Sequence, residues 1–259
     1  MARTAVVTGA TRGIGRATAL ALAARGFSLA LIGRSTADRP NRAGLPGTLE
    51  DVAAQAAERG ADVLTLPADL AADGAPRRVA EQVLGRFGRC DVLINNAAVS
   101  FIGPFTEVPS RRWRIVLAVN LLATVELTEA LLPGMLERRD GRIVNMGSGA
   151  ADTRGESGVP QLPYAASKAA IEAMSIGLAG QLAGTGVAVN VVRPVVATEA
   201  VTFSAPHLLD DPSGRWVPAA AYGEAMAWLV DQPAEFTGNL LTNADLAVAG
   251  ALRPGRAPV

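Results

Sequence analysis

Tyr164 and Lys168 stand four residues apart in the run Y-A-A-S-K. On a helix that spacing places both side chains on one face, so a phenol and an ammonium open into one site. A phenol titrates near about 10 and is a poor acid or base at neutral pH, but an ammonium one turn away favours the phenolate. Lys168 therefore reads as the group that activates Tyr164. The spacing by itself is common; composition sharpens it. Of the 24 basic residues, Lys168 is the only lysine. Most solvated positions accept either cation, whereas a compact ammonium that reaches both a ribose hydroxyl and a tyrosine is not replaced by a planar guanidinium. The plainer alternative is one lysine left by chance in an arginine-rich chain.

A second constellation is T-G-A-T-R-G-I-G, from Thr8 to Gly15. An apolar strand-length run precedes it and a helix-length run follows. Gly9, Gly13 and Gly15 would let backbone amides and a helix N-terminus approach a pyrophosphate without interference from a Cβ. A tight strand-to-helix turn that needs glycine for positive φ is the bland reading. The end of the next strand discriminates between cofactors. A carboxylate there would hold the ribose hydroxyls of NAD; this chain has L-I-G-R-S, where Gly33 leaves space and Arg34 offers a cation to a 2′-phosphate. NADP(H) is thus favoured over NAD(H). Arg12 is a second candidate phosphate contact. Arg39 and Arg42 are weaker ones, more simply read as a solvated loop.

Six short apolar runs must position these groups: Thr4 to Val7, Ser28 to Ile32, Val63 to Leu66, Val92 to Ile94, Ile143 to Met146 and Val187 to Val192. They are too uniformly apolar to have a wet face, which predicts parallel strands covered on both sides. Five helix-length segments lie between and after them: Ile14 to Arg25, Leu49 to Arg59, Pro76 to Phe87, Arg111 to Leu132 and Tyr164 to Leu182. The alternation predicts an α/β fold: a doubly wound, mostly parallel, Rossmann-like sheet with helices on both faces, in one domain over 1–259. Ligands then sit at the carboxyl ends of the strands. The loops near 99–106, 149–163 and 195–218 would surround the substrate.

Composition narrows the classes. The 24 basic and 24 acidic side chains cancel, which argues against nucleic acid and anionic membrane surfaces. One cysteine, Cys90, cannot make an internal disulfide or a multi-thiolate metal site, and no H-E-x-x-H run is present, so no metal is expected. The start M-A-R-T-A-V-V-T-G-A is too short for a signal-peptide core, and no window reaches about 18 uncharged apolar residues. A cytoplasmic protein acting on a small molecule is expected.

These residues together resemble the short-chain dehydrogenases/reductases of the single-domain kind, from Thr4 to about Thr242. Besides the glycine turn and Y-A-A-S-K, the matching motifs are A-D-L at Ala68 to Leu70, N-N-A-A at Asn95 to Ala98, Asn120 in A-V-N, and I-V-N-M-G-S ending at Ser148. The resemblance implies that Ser148 hydrogen-bonds a substrate carbonyl while Tyr164 donates the proton. Lys168 would lower the phenol and hold the nicotinamide ribose, and Asn120 would anchor a water relaying protons to Lys168. It also implies dinucleotide contacts from Gly9, Thr11, Arg12, Gly13, Ile14 and Gly15, and from Arg34 and Ser35. Further contacts would come from Asp69 and Leu70 at the adenine, Asn96 and Ala97, Tyr164 and Lys168, and Pro194 and Thr198. Homodimers or homotetramers are the family's habit, and the long helices after Ser110 and Tyr164 are apolar over more than one face, which points the same way.

Several positions depart from the family pattern. Ala98 stands for the usual glycine of N-N-A-G. Val195 replaces the glycine after Pro194, beside the expected nicotinamide amide. The interval from Ser148 to Tyr164 is enlarged. The tail L-T-N-A-D-L-A-V-A-G lacks the familiar paired glycines, so C-terminal contacts are not assumed.

Phe101, Ile102, Phe105, Val159, Leu162, Val195, Val196, Val201, Phe203, Leu208, Leu209 and Trp216 would make the substrate pocket mostly apolar. The expectation is an NADPH-dependent carbonyl reductase for a hydrophobic or ring-containing ketone. Alternatives are a 3-oxoacyl-carrier-protein-type ketoreductase and a non-redox NADP-binding protein of the same fold. Arg111, Arg112 and Arg114, with Arg138 and Arg139, could steer a carrier protein, but read more simply as solvated helix ends. His207, the one histidine, reads as a plain loop residue beside Pro206.

Overall fold

The computed structural model describes residues 2–41, 43–152, 161–204 and 216–252. The expected positions Arg42, Val159, His207, Leu208 and Leu209 lie outside the described residues. Seven strands form one sheet: β1 (Thr4–Thr8), β2 (Ser28–Gly33), β3 (Val63–Pro67), β4 (Val92–Asn95), β5 (Gly141–Met146), β6 (Val187–Arg193) and β9 (Leu240–Thr242). Their order is β3-β2-β1-β4-β5-β6-β9, every pair parallel. A separate two-stranded piece pairs β7 (Val196–Ala197) with β8 (Val217–Pro218).

Strand side chains alternate between the two faces. Ala5 and Val7 of β1 and Leu29 and Leu31 of β2 join one core. It is closed by α1 (Gly13–Ala23), α2 (Leu49–Ala57) and α8 (Ala219–Val230), through residues such as Leu22, Val52 and Met226. Val6, Ala30 and Ile32 point the other way. They meet Val79 and Val83 of α3 (Ala75–Phe87) and Leu127, Leu131 and Met135 of α5 (Ala123–Arg138). Both faces are therefore dry, which is why the strands carry continuous Val, Ile and Leu.

Three features differ from expectation. First, α8 is hidden in the sequence because A-A-A-Y-G-E-A-M-A-W-L-V buries Tyr222, Ala225, Met226, Ala227, Leu229 and Val230, and so shows no clear amphipathic stripe. It packs so closely on α1 that a Cβ at Gly223 would stand 2.5 Å from the Ala17 carbonyl oxygen. Second, β9 is only three residues long and joins as a seventh strand. Third, the helix expected over Arg111 to Leu132 is broken: α4 (Ser110–Leu117) runs into a π-helical turn at Ala118–Leu122 before α5 begins.

By length and composition alone, Ser110–Arg138 is apolar enough to cross a membrane. In the fold, Leu127, Leu131 and Met135 of that stretch pack into the core beside the sheet.

Candidate active site

A cleft of about 570 Å³ opens at the carboxyl edge of the sheet, where the strand order reverses between β1 and β4. Crossovers to opposite faces leave a crevice at such a point. The glycine turn forms its floor. Gly9 has φ +66, and a Cβ there would lie 2.8 Å from Asn96 Nδ2. Gly15 serves packing and does not line the cleft: its Cβ would fall 2.2 Å from the Gly9 carbonyl oxygen. Asn96 Nδ2 donates to the carbonyls of Thr8 at 2.9 Å and Gly9 at 3.2 Å, and Thr8 Oγ1 accepts from the amides of Asn96 and Ala97, both at 2.9 Å. The end of β4 is thereby cemented to the turn.

The turn already holds an anion of the chain's own. The Gly13 amide donates to Glu199 Oε2 at 3.1 Å, from α7 (Glu199–Ser204). The side-chain carboxylate takes the place of the negative oxygen that a helix N-terminus attracts, so the turn offers its amide to an anion.

At one end of the cleft the structure groups Arg12, Arg34 and Ser35. Arg12 is held by Pro46 O at 3.0 Å, Ser35 Oγ at 3.0 Å and Gly47 O at 3.3 Å, and burial lowers it while Glu199 works in opposition. Arg34 is exposed at the rim. Gly33 does not simply leave open space: a Cβ would stand 2.8 Å from Thr11 Cγ2 and 3.2 Å from Leu49 Cδ2. Asp69 and Leu70 line the same end, Asp69 accepting from the Ala71 amide at 3.1 Å. Asn41 and Leu45 line it too, unnoticed in sequence because nothing in a polar loop marks them. Arg39 does not line the cleft.

At the other end, Ser148 follows β5 and lines the cleft together with Tyr164 from α6 (Leu162–Gln181). Lys168 is buried one turn on; its Nζ donates to the Met146 carbonyl at 2.6 Å and lies 5.4 Å from the Tyr164 ring centroid. Burial pulls Lys168 down to about 8. Burial also raises Tyr164, and the group that counters this is Ser148, through its hydrogen bond. The expected lowering of the phenol by Lys168 is therefore not what this geometry produces. The ammonium is turned to a backbone carbonyl, and the dry surroundings outweigh it.

Asn120 sits in the π turn. Its Oδ1 accepts from the Val99 amide at 2.9 Å, and its Nδ2 donates to the Val99 carbonyl at 3.1 Å and Ser167 Oγ at 2.9 Å. Both ends of the side chain are taken by protein groups, so it braces the segment after β4 against α6. Thr198 and Pro194 line the cleft. The Val195 amide donates to Asn243 Oδ1 at 3.1 Å and its carbonyl accepts from Asn243 Nδ2 at 3.1 Å, with the Tyr222 hydroxyl on the same Oδ1. The tail thus pins this wall, a contact the altered C-terminal motif had given no reason to assume.

A family model of the short chain dehydrogenases matches residues 3–207. The chain belongs to the short-chain dehydrogenases/reductases. Among curated relatives of this oxidoreductase, the 3-oxoacyl-(acyl-carrier-protein) reductase FabG of Escherichia coli is 33% identical over 244 residues, covering 92% of this chain and 93% of that one. FabG of Staphylococcus aureus is 30% identical over 226 residues, 86% of each chain. Solved structures agree on the fold. The TT0495 protein of Thermus thermophilus superposes with a TM-score of 0.79 at 32% identity, over 96% of this chain and 100% of that one. A Beutenbergia cavernae protein assigned as an NAD(P)-dependent gluconate 5-dehydrogenase, with NADP bound at low occupancy, gives 0.77 at 33%, over 95% and 97%.

Of the expected apolar residues, Ile102, Val196, Val201 and Trp216 line the cleft, and Val99, Ser100, Val119 and Gln161 join them. Ser100 Oγ donates to Gln161 Oε1 at 3.2 Å, bridging the mouth. Among the expected apolar residues, Phe101 stacks under Arg112, Phe105 packs edge-on to Trp113, and neither lines the cleft. Leu162 and Phe203 are exposed, and Val195 also stays outside the lining. The signal for Gln161 was its place three residues before Tyr164.

Proposed function

We propose that this short-chain dehydrogenase is an NADP(H)-dependent ketoreductase in which Ser148, Tyr164 and Lys168 act on a ketone carried by an apolar body. The observation that carries the reading is one cleft with Arg12, Arg34 and Ser35 at one end and the Ser148–Tyr164 pair at the other. The chemistry supplied by bound NADPH is a hydride. The chain's part is to meet the negative charge that then grows on the carbonyl oxygen. Ser148 Oγ–H and Tyr164 Oη–H converge on that oxygen, and Tyr164 surrenders its proton to it. The raised phenol suits a donor, because it is protonated at neutral pH. Lys168 holds the cofactor's ribose, while Asn120 braces the wall that faces them. A cytoplasmic dimer or tetramer belongs to the same reading, supported by exposed Ile115, Leu122 and Ile176 on α4, the π turn and α6.

A second reading, reduction of a carrier-bound 3-oxoacyl chain, is favoured by the names of the relatives at 30% and 33% identity. The deciding experiment follows oxidation of NADPH and NADH with free ketones from small to polycyclic and with a 3-oxoacyl thioester. A marked thioester preference replaces the free-ketone version. Tyr164→Phe is expected to cut turnover by a factor of about 10² to 10⁴ while NADPH binding stays within about twofold. Retained turnover would reject Tyr164 as the acid.

A further inference from the structure

A buried carboxylate lies beneath the Ser148–Tyr164–Lys168 group. Glu172 is one turn past Lys168 on α6 and only 8% exposed. Its Oε1 accepts from the Ser148 amide at 3.2 Å and from Arg193 Nε at 2.8 Å, and its Oε2 accepts from Arg193 Nη2 at 2.6 Å. Arg193 ends β6. Gly147 makes room for this carboxylate, since a Cβ there would stand 2.6 Å from Glu172 Oε1 and 2.8 Å from Val191 Cγ1. One anion thus joins the residue after β5, the end of β6 and the helix that carries Tyr164 and Lys168. For stability alone such a pair has little to recommend it, because a well-packed apolar pair of similar volume does as well or better.

We infer that Glu172 is a positioning residue: its carboxylate, bonded to the Ser148 amide, fixes the Ser148 backbone and places a negative charge one helical turn from the Lys168 ammonium. The inference rests on the ketoreductase reading of the same site. Burial lowers Lys168, and Glu172 is the charge that works in the opposite direction. Glu172 also raises Tyr164, so it favours the protonated form of both groups. Among the described residues, the other groups facing this cluster are Tyr164 on the helix itself and the Met146 carbonyl and Ser148 from β5 and its end. Arg193 from β6 faces Glu172 directly, and Asp152, from the turn after Ser148, acts on Arg193.

Because Lys168 is the only lysine, protein grown on lysine labelled with carbon-13 at Cε gives a single lysine resonance whose titration reports this ammonium directly. Glu172→Gln is expected to lower that midpoint by about one pH unit, the low end of what removing an adjacent opposite charge does. The alkaline limb of the kcat profile should fall by the same amount, while NADPH affinity stays within about twofold. The single substitution would leave the half-buried Arg193 without its carboxylate, so Glu172→Gln with Arg193→Gln removes both charges. That double variant should restore folding and, with the opposing Arg193 charge gone as well, bring the midpoint back towards wild type, which separates a charge effect from a structural one. A lysine midpoint in folded Glu172→Gln that matches the wild type overturns the inference, as does a lowered midpoint with an unmoved kcat profile. Failure of the wild type to oxidise NADPH with any ketone would instead strike the ketoreductase reading, while the lysine titration still decides whether Glu172 holds the charge.

Discussion

Lys168→Met should make the protein more stable at neutral pH and nearly inactive. Lys168 is 2% exposed, and burial takes it from the ordinary 10.5 to about 8. Between those two values the unfolded chain binds a proton that the folded one has released, so wild-type stability rises with pH across the window from about 8 to 10.5. Below about 8 both states hold the proton, and the folded protein bears the full cost of a desolvated ammonium. At roughly 1.4 kcal/mol per pH unit the interval from 10.5 to about 8 corresponds to about 3 kcal/mol. Methionine fills a similar volume without a charge and escapes that cost; it also forfeits the bond to the Met146 carbonyl, which trims the gain. The assay is urea unfolding of both proteins, without cofactor, from pH 6 to 10.5. The advantage of the methionine variant should be largest below about pH 8 and decline by about 3 kcal/mol towards 10.5. Other titrating groups are common to both proteins and cancel in the difference. An advantage that does not change with pH, or a variant less stable than wild type throughout, would refute the reasoning.

Two further outcomes concern the cofactor end. Arg34→Asp should shift kcat/KM from NADPH towards NADH by about 10- to 100-fold, the worth of one charge-assisted phosphate contact; an unchanged ratio in coupled absorbance assays would put the 2′-phosphate on Arg12 alone. Glu199→Gln removes the carboxylate that sits on the Gly13 amide and next to Arg12. It should tighten NADPH by several-fold in fluorescence titration, since binding no longer has to displace a charge. Weaker binding would show that Glu199 belongs to the cofactor site and does not compete for it.

The parts of this site that were legible in sequence are local. Tyr164 and Lys168 are one helical turn apart, and Gly9, Gly13 and Gly15 lie within one strand-to-helix turn, so residue type and spacing carry the geometry directly. The strand runs were equally plain, because covering a sheet on both faces requires unbroken Val, Ile and Leu. α8 was not, since a helix buried on nearly all sides has no periodic stripe to find. β9 was too short to show a pattern.

Other features depend on what the sheet order brings together. The Gly13 amide meets Glu199 across 186 positions, Val195 meets Asn243 across 48, and Ser148 and Arg193 meet Glu172 across 24 and 21. No spacing rule encodes such pairs. The direction of the Tyr164 shift belongs with them: sequence places a cation beside the phenol, but only packing sets how dry the site is and which way the ammonium turns. The sequence by itself thus determined the fold class, the glycine turn and the Tyr164–Lys168 pair, because residue type and local spacing carry each of them. The tertiary structure alone decided where the charges rest, because desolvation and long-range pairing arise only once β5, β6 and α6 have packed together.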